Sequence, residues 1–297
     1  PGSSAALVLG RARARVVLVD AGHPSNAPST GIGGLLGHDG TAPADFYAAT
    51  ADELAGYPSI ERRSATVEAI QPHADPKWRL ELDDGETIHT DRILLATGMR
   101  YARPEIDGLE PRWGASVFHC PFCHGWEHRD QPLAVLGGPP ERALLLRRWT
   151  DDLTLISNGA TFTDEEREQL SGAGIRIVDG RIAAVAGPGR GLKSIVLTDG
   201  TTVDVTGLLV PAPHEIRRPS LLEGLGLDFT PTGHIATDGF GATSIDGIWA
   251  AGDLASPMSN VARAIAAGSD SAVAITRHLV ANTGYRPSGK EAAPSNR

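Results

Sequence analysis

The apolar positions of this chain switch repeatedly between a helical period and a strand period. Residues 2–20, GSSAALVLGRARARVVLVD, open with an Ala/Leu run that stops at the arginine pairs, and VVLV follows as a β-branched run ending on Asp20. That pattern predicts a helix followed by a strand. Residues 45–56 read as helical, and 64–73, 78–90 and 92–98 as strands, the middle one a hairpin turning at Asp84-Gly85. Residues 131–157, QPLAVLGGPPERALLLRRWTDDLTLIS, repeat the plan of strand, glycine turn, helix, strand, so two βαβ units are expected. The runs at 165–178, 181–187, 191–210 and 247–253 are expected to complete a second sheet and return to the first. The polar tail, 282–297, is expected to be loose.

This is an α/β pattern of two Rossmann-like nucleotide-binding domains, the second inserted into the first. The expected boundaries are 1–113 with 233–297 for the first and 114–232 for the second. A helix that opens at residue 3 with a glycine at its mouth usually follows a strand. None precedes it here, so an N-terminal truncation that removes the first strand is expected.

Composition sharpens the picture modestly. The 297 residues include 35 Gly and 21 Pro with only 5% aromatics, which suits an α/β chain with many tight turns. A formal charge of −9 offers no basic footprint for nucleic acid or an anionic membrane. Apolar runs such as GIWAAG fall far short of the roughly 20 residues of a membrane span, so no membrane association is expected. The two cysteines, three positions apart, cannot form the stapling framework of a secreted domain. They are therefore chemistry or metal, and a cytoplasmic setting is favoured.

Three strand ends carry candidate ligand chemistry. Asp20, at the tip of the second strand of a βαβ unit, is placed to accept hydrogen bonds from ribose hydroxyls, with a pyrophosphate at the preceding helix mouth near Gly2. LLATG brings Thr97 and Gly98, and GIWAAGD brings Gly252 and Asp253, small residues where a backbone must pass close to a large ligand. Each is equally readable alone as an ordinary turn; their order along the chain is what gives them specificity.

In that order the chain resembles the low-molecular-weight thioredoxin reductase group of two-domain flavoproteins, from Gly2 to about Leu279. The resemblance implies that the first domain binds FAD, with Asp20 on the adenosine ribose and Asp253 on the ribityl chain. It also implies that Ser259, Asn260, Val261 and Ala262 form the mouth of a helix facing the flavin ring. The inserted domain of that group binds NADPH and carries a C-x-x-C pair, where this chain has Cys120 and Cys123.

The stretch FHCPFCHGWEH, 118–128, has three readings. Zinc requires four ligands, or three and a water. Cys120 and Cys123 with His119 or His128 supply three, but closure among sequence neighbours is awkward and no second cluster exists. An inert buried pair is disfavoured because C-x-x-C at a helix start lowers a thiol pKa. A redox pair without metal is the reading the residues favour. Where thioredoxin reductases carry an aspartate after the second cysteine, this chain has His124, and the string resembles the branch of dithiol oxidases acting on small cyclic disulfides of the gliotoxin and holomycin kind. A histidine titrating near neutrality takes a proton from a thiol and returns it, and the plain alternative for His124 is a surface side chain on a loop; Glu127 reads more readily as a helix cap than as the residue that orients His124.

The second βαβ unit departs from the family. Relatives that bind NADPH read roughly GGGxxA there, and this chain reads GGPPER. Pro139 removes an amide donor, Glu141 adds a negative charge, and Arg142 stands where a small residue is usual. Arg142, Arg147 and Arg148 are the cations available to compensate. NADP(H) is therefore expected to be poorly served. The expected function is FAD-dependent thiol–disulfide exchange that oxidises a dithiol, with oxygen or another acceptor. An NAD(P)H-dependent disulfide reductase and a non-catalytic flavin-binding redox sensor are the alternatives. Expected partners are a small dithiol or disulfide or a thioredoxin-like protein, in a homodimer. The segment 26–40, NAPSTGIGGLLGHDG, is expected near the flavin and carries no readable specificity.

Overall fold

The computed structural model describes residues 1–217, 219–258 and 260–283; Arg218, Ser259 and most of the polar tail lie outside the described residues. The elements run α1 (Gly2–Arg11), β1 (Val16–Val19), α2 (Pro43–Ala55), β2 (Ile60–Arg63), β3 (Val67–Pro72), β4 (Trp78–Leu82), β5 (Thr87–Thr90), β6 (Ile93–Leu95) and β7 (Met99–Tyr101). Then follow β8 (Val117–Phe118), α3 (Pro121–His124), β9 (Leu133–Leu136), α4 (Pro140–Leu146), β10 (Leu153–Ile156), α5 (Asp164–Gly172) and β11 (Ile175–Val178). The remainder is β12 (Ile182–Ala186), β13 (Ser194–Leu197), β14 (Thr202–Asp204), β15 (Gly207–Leu209), β16 (His214–Ile216), α6 (Pro219–Leu222), β17 (Ile248–Ala250) and α7 (Val261–Thr283).

The described residues pack as two compact units, one drawn from 1–22, 50–98 and 216–297 and the other from 23–49 and 99–215. The segment 23–49 therefore belongs with the unit that carries the cysteines. Its contacts explain why: Ser29 bonds His124, Arg190 donates to the Pro28 carbonyl, and Gly33 abuts Cys123.

In the second unit a parallel five-stranded sheet has the order β11-β10-β9-β15-β8. Successive residues of β9 feed opposite cores. Leu133 and Val135 join Leu153, Leu155 and Leu209 on one face, and Ala134 and Leu136 join Ile156, Leu208 and Val210 on the other. Burial on both faces is why these strands read as unbroken apolar runs. The strands β12, β13 and β14 do not extend this sheet, contrary to the expectation for residues 181–204, but form a separate antiparallel one. In β13 and β14 alternate residues, such as Ile195 and Leu197, are buried while those between are not. A strand with one wet face fits an antiparallel layer, not the centre of a parallel sheet.

In the first unit β1 pairs with β2 and β6 with β17, both parallel, and β3-β4-β5 forms an antiparallel sheet whose last hairpin turns at the left-handed Gly85. Ala5 and Leu9 of α1 pack on Ala272 and Ile275 of α7. The helices approach closely enough that a Cβ at Gly268 would lie 2.2 Å from the Pro1 carbonyl oxygen. Among the described residues no helix is long and apolar enough to cross a membrane.

Candidate active site

The cysteine pair is shaped by a very short helix. Cys120 has extended backbone and precedes α3, where Pro121 takes a position that needs no amide donor. The Cys123 amide donates to the Cys120 carbonyl at 3.2 Å, and Gly125 closes the turn on the Pro121 carbonyl at 2.7 Å. Gly125 is required: a Cβ there would lie 2.5 Å from that carbonyl and 2.9 Å from the Trp149 ring. Both cysteines are thiols and partly buried.

The two sulfurs divide one proton unequally. The Cys123 thiol donates to the Cys120 sulfur, which lowers Cys120 to about 7 against the opposing effect of burial. Cys123 is pushed up by that same hydrogen bond, by burial and by the negative charges of Cys120 and Glu127. Cys120 is thus the thiolate of the pair, the form that attacks and leaves in disulfide exchange.

His124 ends α3, and its ring stacks on Phe118 at 5.6 Å, with His128 stacked on Phe118 at 5.3 Å. Its Nε2 lies 3.1 Å from Ser29 Oγ, and its buried Nδ1 has no hydrogen-bond partner. Burial and the neighbouring His128 lower its pKa to about 4, although the Cys120 and Gly114 carbonyls favour the charged ring. The expectation of titration near neutrality is corrected: this imidazole is neutral at pH 7. A proton passed from Cys120 at about 7 to His124 at about 4 climbs on the order of 4 kcal/mol, so a thiolate–imidazolium pair is a transient and not the resting state.

His119 points elsewhere. Its ring stacks on Trp113 at 5.5 Å and lies 4.3 Å from Tyr101, and burial lowers it to about 4. Among the described residues no three His, Cys, Asp or Glu side chains gather to hold a metal ion.

The proposed flavin residues all lie in the first unit. Gly98 and Gly252 both adopt left-handed backbone, with φ of 66° and 75°. They follow the carboxyl ends of the paired parallel strands β6 and β17, the edge where open α/β sheets receive ligands. A Cβ at Gly252 would lie 2.5 Å from the Pro1 ring. Two bare, left-handed strand ends fit the backbone approach that a dinucleotide requires. Gly252, Asp253 and Asn260 line one cavity of about 330 Å³ together with Asp238 and Ser271, whose buried hydroxyl has no partner. Val261 and Ala262 open α7 without lining it, and Asn260 Oδ1 caps the helix by accepting from the Arg263 amide at 2.8 Å. Asp20 stands exposed after β1, one oxygen held by the Gly22 amide at 2.9 Å and the other 3.9 Å from Arg62. Gly2 lies against Ala96 and Leu18, and Thr97 is exposed.

Of the three cations named for the second βαβ unit, Arg142 and Arg147 are committed internally and Arg148 is exposed. Arg142 donates to the Val210 carbonyl at 2.8 Å, partly buried. Arg147 donates to the Ala173 and Thr150 carbonyls at 2.9 and 2.7 Å. The helix behind the glycine turn, α4, has only seven residues and begins at Pro139-Pro140, so its N-cap and first position lack amide donors.

A dithiol with one acidic sulfur, beside a neutral imidazole in one α/β unit, and glycine-bared strand ends in another define an FAD-linked thiol–disulfide oxidoreductase. Residues 1–268 match the family model described as pyridine nucleotide-disulphide oxidoreductase, and the chain belongs to that family. A curated relative, thioredoxin reductase sirT of Leptosphaeria maculans, is 28% identical over 90% of this chain and 88% of its own length. The crystal structure of HlmI superposes with a TM-score of 0.89 at 36% identity, covering 95% of this chain and 90% of that one. The structure of an oxidoreductase from Agrobacterium tumefaciens superposes at 0.86 with 33% identity over 94% and 95% of the two chains.

Sequence reading missed Ser29. It lies in a polar loop 95 positions from His124, and no local pattern distinguishes it from its neighbours.

Proposed function

We propose that this protein oxidises a dithiol to a disulfide, with Cys120 and Cys123 as the exchanging pair, His124 as the proton carrier and dioxygen as the final acceptor. A substrate thiolate attacks the Cys120–Cys123 disulfide at Cys120; the second substrate thiolate then displaces Cys120 and closes the product disulfide. The pair is left as two thiols, having gained the two electrons and two protons the substrate lost. When bound, FAD supplies the two-electron exchange that returns the pair to a disulfide. Glycines 98 and 252 with Asp20 and Asp253 would hold it. The low pKa of Cys120 suits it to leave as a thiolate.

The observation that carries the direction is the state of the second βαβ unit. Arg142 is spent on the Val210 carbonyl and Arg147 on those of Ala173 and Thr150, and the short helix behind the glycine turn starts with two prolines, so a nicotinamide pyrophosphate finds fewer cations and amides there than a glycine-rich cradle would offer. The relatives named as thioredoxin reductases support the opposite direction, delivery of electrons to the disulfide of a thioredoxin. Anaerobic mixing separates the two. Dithiothreitol is expected to bleach the flavin band, NADPH is not, and air is expected to restore the colour with one hydrogen peroxide per dithiol oxidised. Rapid bleaching by NADPH would establish the reductase instead.

A further inference from the structure

The proton inventory around Ser29 is closed. Its single hydroxyl proton goes to the Gly31 carbonyl at 2.7 Å. Towards His124 Nε2, at 3.1 Å, the oxygen therefore has only lone pairs to offer, and a hydrogen bond there requires the proton to sit on Nε2. A neutral imidazole carries one N–H, so Nδ1 is bare. That bare nitrogen is the atom that lies buried without a partner.

The backbone that brings Ser29 to the ring is fixed from three directions. Gly114, at φ 70°, has no side chain to resist it; a Cβ there would lie 2.8 Å from the Pro28 carbonyl and 2.9 Å from the Ser29 amide. Arg190 donates to the carbonyls of Pro28 and of Trp113, the latter at 2.8 Å. Gly33 abuts the Cys123 carbonyl, where a Cβ would come within 2.5 Å. Segment 28–33 is therefore seated against the C-x-x-C helix, and Phe118 stacks on the imidazole.

We infer that Ser29 is a positioning residue that fixes His124 as the Nε2–H tautomer, leaving Nδ1 as the one ring atom that can take up a proton during thiol oxidation. This rests on the reading of His124 as the proton carrier. Neither sulfur is a partner of Nδ1 in this structure, so the transfer follows the approach of a thiol to the ring; it balances as a thiol S–H becoming a thiolate, Nδ1 gaining the proton, and Nε2–H continuing to donate to Ser29. The proton returns when sulfur leaves as a thiol. The titratable and charged groups facing the ring are His119, His128 and Arg190, all of which oppose its charging, while the Cys120 and Gly114 backbone carbonyls favour it.

The direct test is a long-range ¹H–¹⁵N spectrum of the holoprotein labelled in histidine, with His124 assigned by its loss in His124→Gln. At neutral pH the proton is expected on Nε2 and a lone pair on Nδ1. A proton on Nδ1, or an even mixture, overturns the inference whatever the enzyme oxidises. Ser29→Ala is then expected to mix the tautomers and lower kcat for dithiothreitol roughly 10-fold with little change in KM. Ser29→Thr, which keeps the hydroxyl, is expected to restore both. Unchanged tautomer and kcat in Ser29→Ala would reject it. The flavin-bleaching experiment bears on the direction of electron flow and leaves the tautomer untouched, so the two readings fail separately.

Discussion

Cys120 draws its acidity chiefly from the Cys123 thiol, with the Cys123 and Phe122 amides adding to it. With the Cys123 thiol as donor its pKa is about 7, although burial alone would raise it. Alkylation of the reduced protein with iodoacetamide, followed by mass spectrometry of Cys120, is expected to show a rate midpoint near pH 7. Cys123→Ala removes the donor, and the midpoint is expected to climb by at least one pH unit toward the ordinary thiol range, about 8.5. A midpoint that stays put would mean that another group stabilises the thiolate. The pair itself was legible in the sequence because three-residue spacing puts both sulfurs on one helical turn. The neutrality of His124 was not, since the burial that lowers it is assembled by tertiary packing.

At the scale of elements, α3 is too short to hold its own geometry, and segment 28–33 holds it from outside. Gly114 is where that support is most exposed to mutation, because its φ of 70° and its contact with Pro28 both exclude a Cβ. Gly114→Ala is expected to cost about 1–3 kcal/mol, read as a lowered Tm, and to weaken the Ser29–His124 contact. The elements that sequence reading placed well are those whose pattern is local: the βαβ repeat at 131–157 and the hairpin at Asp84-Gly85. The strands β12 to β14 were assigned to the wrong sheet because an alternating pattern reveals one dry face without revealing which layer covers it. The commitment of Arg142 to Val210 was equally unreadable, since the two stand 68 positions apart.

The stability of the whole molecule should carry the imprint of its buried imidazoles. His119 and His124 have folded pKa values of about 4 against an ordinary value of 6.5. Between those limits the unfolded chain binds more protons than the folded one, so stability rises with pH across that window. Keeping them neutral carries no protonation cost above pH 6.5 and costs progressively more as pH falls toward 4. The loss is on the order of 3 kcal/mol for each alone. It is less than additive, because the charge of His124 contributes to the lowering of His119. Thermal melts of the reduced protein from pH 7 to pH 4.5 are expected to show a falling Tm, and His119→Phe is expected to flatten that fall. An equal slope in the variant would assign the acid lability to other groups.

The seating of residues 28–33 against α3 makes two distant stretches of sequence one heritable part. A protein engineer who transplants 118–128 into a relative brings the cysteines and the imidazole but leaves behind the hydroxyl that orients it and the bare backbone at Gly33 that admits Cys123. Recombination between such genes would preserve the chemistry only when both stretches come from the same parent, even though nearly a third of the chain separates them.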